Sequence, residues 1–219
     1  MDDRPDTQNP AQVVREDFIV ILSQDVIAAI ARRDADDSQA NRRELIRTLF
    51  AAVEGLAWTY RTEIVESARS LDLLTVEEDQ AFSEVSYSVT GQGKIASQPR
   101  FVPLTAMIRL TTRLASKIDP AFDANFDGIG WDQFGKAVKV RNRITHPKRE
   151  SDLVISESDT SACISAFYWL FELYSSALES VNSALSQHLM LMREVVQGLR
   201  EGDPVLHALY KGISRSRPD

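Results

Sequence analysis

The hexapeptide Arg141-Asn142-Arg143-Ile144-Thr145-His146 carries side chains suited to phosphate chemistry. Arginine offers a permanently charged planar fork that matches phosphate oxygens. Histidine titrates near neutral pH and can give or take a proton in a reaction. Lys136, Lys139, Lys148 and Arg149 join Arg141 and Arg143 to make six basic residues, with no acid between positions 136 and 149. Lys139, Arg143, Lys148 and Arg149 are the candidates for holding an anionic backbone, a salt-sensitive contribution blind to sequence. The same residues have plainer uses. Arg141 could pair with a buried acid, and His146 could cap the last carbonyls of a helix, where a cation is favoured.

A helix must position them. Over Trp131 to Arg149 the helical period puts Phe134, Ala137, Val138, Ile144 and Thr145 on one face, with Arg141 projecting from its middle. A guanidinium in an apolar stripe has to be desolvated or paired, and either costs free energy unless its hydrogen bonds are met. Pro147 disfavours helical geometry at the residue before it, so the helix should stop at His146. Asn142 and His146, four apart, share a helix flank.

Composition narrows the classes. The 219 residues suffice for a sizeable core, and nine glycines and eight prolines leave room for mostly regular structure. Cys163 is the only cysteine, which excludes an internal disulfide and a thiolate metal cluster. Its spacing fits a small buried residue on an apolar helix face. The net charge of −7 argues against a general nucleic-acid binder, yet the positive charge is gathered around the hexapeptide. The acidic start M-D-D-R-P-D lacks the pattern of a secretion signal, and no run of 18 apolar residues suggests a membrane span. The expectation is a soluble cytoplasmic protein without a membrane association.

Along the chain the periodicity predicts an all-α bundle of about five to six helices with a long last helix. Residues 1–10 read as a disordered lead, 11–202 as one helical domain, and 203–219 as a tail with a short helix. Helix one runs from Ala11 to about Arg33 on Val14, Phe18, Ile21, Leu22, Val26 and Ile30. Helix two is capped by Ser38 and reaches about Leu71. Thr75 and Glu78 form a capping-box signature for a third helix carried by Phe82, Val85 and Val89 and ending near Gly91. The following G-Q-G-K-I-A-S-Q-P reads as a loop, without the third glycine or the G-K-[ST] of a nucleotide cradle. Pro103 starts helix four, which Asp119-Pro120 ends.

Asp123, Asn125, Asp127 and Gly128 match the start of a calcium-binding EF-hand loop, but its twelfth position is Phe134, not a carboxylate. They are expected to form a turn that caps the next helix, and no metal or other cofactor is expected. Beyond the polar connection, Ser156 or Ser158 caps a last helix of roughly 40 residues, about 60 Å long. It should break between Ser175 and Ser186 or extend to a partner chain. His188 and His207 read as ordinary residues. No strand alternation persuades, and no internal repeat is evident.

Taken with the basic helix before it and the capped apolar helix after it, Arg141-x4-His146 resembles the R-x4-6-H motif of the HEPN superfamily. These are all-helical, usually dimeric domains that include many metal-independent endoribonucleases. The likeness spans about 70 residues from Gly130 onward. It implies an up-and-down helical core, catalytic roles for Arg141, His146 and Asn142, RNA as partner and substrate, and a homodimer whose two motifs share one cleft. It further implies a toxin of a toxin–antitoxin or phage-defence system, with a possible cognate antitoxin. Lys148 stands where one subfamily has a tyrosine, so that subfamily's regulation is not implied. The alternative is a non-catalytic helical module that binds RNA or a nucleotide, or mediates dimerisation.

Overall fold

A computed structural model describes the backbone of residues 10–215 and the side chains of 18–211. Among the described residues the chain forms seven α-helices, one 3-10 turn and one two-stranded hairpin. The disordered lead expected at the N-terminus falls largely on residues 1–9, outside that range.

Helix α1 (Pro10–Ala35) and helix α2 (Gln39–Ser70) are joined by three residues and pack along each other. Ser38 caps α2 through its hydroxyl, which accepts from the Asn41 amide. Helix α2 is the hub. Its buried face, with Leu45, Leu49, Val53, Leu56, Tyr60 and Ile64, meets α1, helix α4 (Leu104–Ile118) and helix α6 (Glu157–Glu201). Tyr60 is fully buried and its hydroxyl shares a hydrogen bond of 3.1 Å with that of Thr112 on α4. Burial pushes its pKa up to about 12.

The third helix is shorter than the sequence predicts. Helix α3 (Val76–Phe82) has the expected capping box, but it stops at Phe82, and Val85–Val89 is strand β1, paired antiparallel with β2 (Ile95–Pro99). V-S-Y-S-V satisfies a period of two as well as Val85 and Val89 satisfy a period near four. Two local features decide for the strand. Glu84 takes a left-handed φ of 52°, which ends the helical path, and Gly93 at φ 76° closes the turn that brings β2 back. The loop expected at 91–99 is therefore turn and strand.

Helix α5 (Ile129–Thr145) packs chiefly on α6. Its buried face is Phe134, Ala137, Val140 and Ile144. Val138 is only half-buried and Thr145 is exposed. The true face is thus rotated from the expected one, and Arg141 lies on the neighbouring flank rather than in the apolar stripe. The turn before α5 is held by Asn125 Oδ1, which accepts from the Asp127 amide, but Gly128 occupies the N-cap without a side-chain bond. The loop is a turn and not a cap. No cluster of three or more His, Cys, Asp or Glu suited to a metal occurs among the described residues.

Helix α6 runs unbroken for 45 residues, about 67 Å at 1.5 Å per residue. The serines of its middle do not interrupt it, because a helix can carry serine wherever neighbouring turns remain intact. Its first half is core, down to Val181. Cys163 is buried there, and burial, reinforced by the nearby Asp159 charge, pushes its thiol up to about 12. The second half leaves the bundle with Leu189, Leu191, Met192 and Val196 exposed. Gly202 ends the helix in the left-handed region at φ 83°, where a side chain would be strained. Helix α7 (Pro204–Arg215) then folds back, with Leu206 close against Gly198 and His207 Nε2 at 3.0 Å from the Leu199 carbonyl. No helix of the described residues is long and apolar enough to cross a membrane.

Candidate functional site

The hexapeptide occupies the last turns of α5. His146 is its C-cap residue, and its backbone amide donates to the Asn142 carbonyl at 3.1 Å. Its side chain is exposed, so the helix end is closed by the backbone and not by the imidazole.

Arg141 and Asn142 line an open groove of about 420 Å³ between α2, α4 and α5. Arg141 Nη1 donates to Asn142 Oδ1 at 3.1 Å, and Nη2 donates to Glu54 Oε1 from α2. The acid partner anticipated for Arg141 thus exists, but it is not buried. The side chains of Arg141 and Glu54 keep 33% and 48% of their exposure. A pair this open contributes about 0–1 kcal/mol once solvent screening is allowed for. A bidentate phosphate has enough to gain to displace it.

The other basic candidates do not share that groove. Lys139 and Arg143 face the opposite side, between α5 and the start of α6. Arg143 Nη2 donates to Asp159 Oδ2 at 2.9 Å and to the Val154 carbonyl at 3.3 Å. It ties α5 to the N-terminus of α6, a task different from the RNA contact the sequence suggested. Lys148 and Arg149 are exposed beside His146, and both backbone amides donate to Asp152 Oδ2, at 2.8 and 3.0 Å. The structure therefore brings Arg141 and Asn142 to one groove and leaves His146, Lys148 and Arg149 exposed at and past the helix end, while Lys139 and Arg143 line a different cleft.

Several supporting residues carried no sequence signal. Gln39 bonds Ile155 twice, Nε2 to its carbonyl at 2.9 Å and its amide to Oε1 at 2.7 Å. Arg42 reaches the same carbonyl, and Arg43 that of Leu153, each at 3.0 Å. The start of α2 thereby straps down the segment after the 3-10 turn (Glu150–Leu153) and fixes where α6 begins.

Asp159 is the keystone of that junction. Its amide donates to the capping Ser156 Oγ, while its carboxylate accepts from the Ser156 amide and from Arg143. Burial alone would raise the Asp159 carboxyl, but these hydrogen bonds outweigh it and hold the pKa below its usual value. A depressed carboxylate adds stability that is complete above the ordinary Asp pKa of about 3.9 and is lost as pH falls through the lowered value. Asp159→Asn should cost about 1 kcal/mol at pH 7. In denaturant titrations that deficit should shrink below about pH 4. A deficit that stays constant down to pH 3 would show that the carboxylate charge is immaterial.

No family model, curated protein or solved structure matches the chain. Its class rests on its own features: a predominantly helical protein with an arginine–asparagine groove and an exposed histidine at the end of the same helix.

Proposed function

We propose that the chain is a HEPN-like endoribonuclease that works as a homodimer on RNA without a metal. The observation that carries this reading is the presentation of one helix end: Arg141 and Asn142 turned to an open groove, and His146 exposed at the cap five residues on. RNA brings its own nucleophile. His146 would exchange the proton between the 2′-hydroxyl and the departing 5′-oxygen, and the Arg141 fork would bear the charge that grows on phosphate. The 2′-oxygen bonds to phosphorus as the 5′-oxygen leaves, giving a 2′,3′-cyclic phosphate and a 5′-hydroxyl. Lys148 and Arg149 would steady the backbone beside His146. A cytoplasmic toxin or phage-defence role, with a cognate antitoxin, belongs to the same proposal.

A groove lined by Arg141 and Asn142 but not by His146 favours a second reading, a non-catalytic module that binds RNA or a nucleotide. Incubation of single-stranded RNA with the protein in excess chelator separates the two. The nuclease yields cyclic-phosphate ends and leaves a fully 2′-deoxy strand intact. A parent protein that retains the RNA but produces no such ends is the binding module.

A further inference from the structure

The groove beside Arg141 has aromatic walls that the proposed phosphate chemistry does not use. Trp58, on α2, is 48% exposed, and Phe101, in the segment that leaves β2, is 84% exposed. Both line the same groove as Arg61, Glu84, Arg141 and Asn142. The far wall is rigidly built. Glu84 accepts from Arg61 at 2.7 Å and from the Val102 amide at 3.2 Å, so the two roots of the hairpin are pinned to α2. Phe101 adjoins that pinned root.

Large aromatic side chains are the main source of apolar burial in cores and interfaces, and leaving two of them in water at one groove forgoes that gain. The volume of about 420 Å³ falls within the range of small-ligand pockets, about 300–1,000 Å³. Flat apolar faces next to a guanidinium and an amide are what an unstacked base with its phosphate requires. A base held inside a duplex could not reach them.

We infer that this groove is a nucleotide subsite: Trp58 and Phe101 stack a base of single-stranded RNA whose adjoining phosphate lies on Arg141. This rests on the RNA-directed reading above, and the test separates the two. The probe is a labelled single-stranded oligonucleotide with 2′-O-methyl riboses, which cannot supply the attacking hydroxyl, titrated against the full-length protein. Parent protein should bind it and bind the perfect duplex more weakly. Trp58→Ala and Phe101→Ala should each weaken binding about ten-fold, while Trp58→Phe, which keeps a ring, stays within about three-fold. Neither aromatic variant should change the salt dependence, whereas Arg141→Ala should lower its slope by about one. Phe101→Ala guards against misfolding, because that side chain is nearly all in solvent.

Aromatic variants that bind like the parent, a duplex that binds as well as the single strand, or a parent that does not bind each overturn the subsite. Binding that depends on both rings, with no cyclic-phosphate product from ordinary RNA, supports the subsite and removes the nuclease. Cleavage by a protein whose aromatic variants bind normally does the reverse.

Discussion

His146→Ala should reduce the rate of RNA cleavage by about 10²–10⁴-fold, the range expected for losing a general acid–base group, with no measurable change in melting temperature. The separation of the two effects comes from the site. The imidazole is exposed, the cap bond belongs to the backbone, and the buried face of α5 is formed by other residues. Arg141→Lys should also be poor, since an ammonium is a point charge that cannot present a planar fork. Binding of a non-cleavable strand should survive His146→Ala, because the groove is lined by Arg141 and Asn142 and not by His146. If two chains share one cleft, total activity should also fall faster than linearly on dilution, so that specific activity drops as the dimer dissociates. A variant that cuts as fast as the parent would remove His146 from the chemistry, and equal loss of melting temperature and activity would reduce it to a structural residue.

How much of this was legible in sequence depended on whether the deciding partner was near. The caps at Ser38, Thr75 and Ser156 are local, each made within three residues, and each forms as its spacing implies. Gly202 and Pro204 likewise mark a boundary that the backbone obeys. The hairpin is not legible in the sequence because Val85 and Val89 fit two periods at once, and a left-handed φ at Glu84, which no side-chain pattern signals, decides between them. The buried face of α5 is rotated from the one its periodicity implies, since Val138 and Val140 are chemically alike and only packing on α6 distinguishes them.

The candidate site shows the same division. Arg141, Asn142 and His146 stand out by type and spacing. Glu54, 87 residues away, and the Gln39 strap, 116 residues away, do not. Trp58 lies on a helix whose periodicity points to its core face, and Phe101 in the short link between the glycine-bearing loop and helix four, which carries no periodic signal. Their shared groove exists only once α2, α4 and the hairpin root are assembled.

Phe134→Ala should be the most destabilising single change in the helix that carries the motif, at about 3–5 kcal/mol, lowering the melting temperature by roughly 10 °C. Phe134 is fully buried, stacked on Trp131 at 5.5 Å with an interplanar angle of 4°, and tilted against Trp169 of α6 at the same distance. Phe126 closes the group edge-on to Trp131 at 4.8 Å, and Arg109 of α4 lies over the rings of Phe126 and Trp131 at 4.6 and 4.8 Å. Truncation removes both the burial and the rings' mutual contacts, and the packed neighbours cannot all collapse into the space. Gly130 forbids one route of repair. Its Cα already lies where a Cβ would stand 2.1 Å from Trp169 Cδ1, so backbone and indole meet without slack. Val138→Ala, on the half-buried groove flank of the same helix, should cost under about 1.5 kcal/mol. Thermal unfolding followed by tryptophan fluorescence checks both, since Trp131 and Trp169 report the cluster directly. A Phe134→Ala protein within about 1 kcal/mol of the parent would mean that the Arg143–Asp159 junction and the strap from α2, not the aromatic cluster, hold α5 and its motif in place.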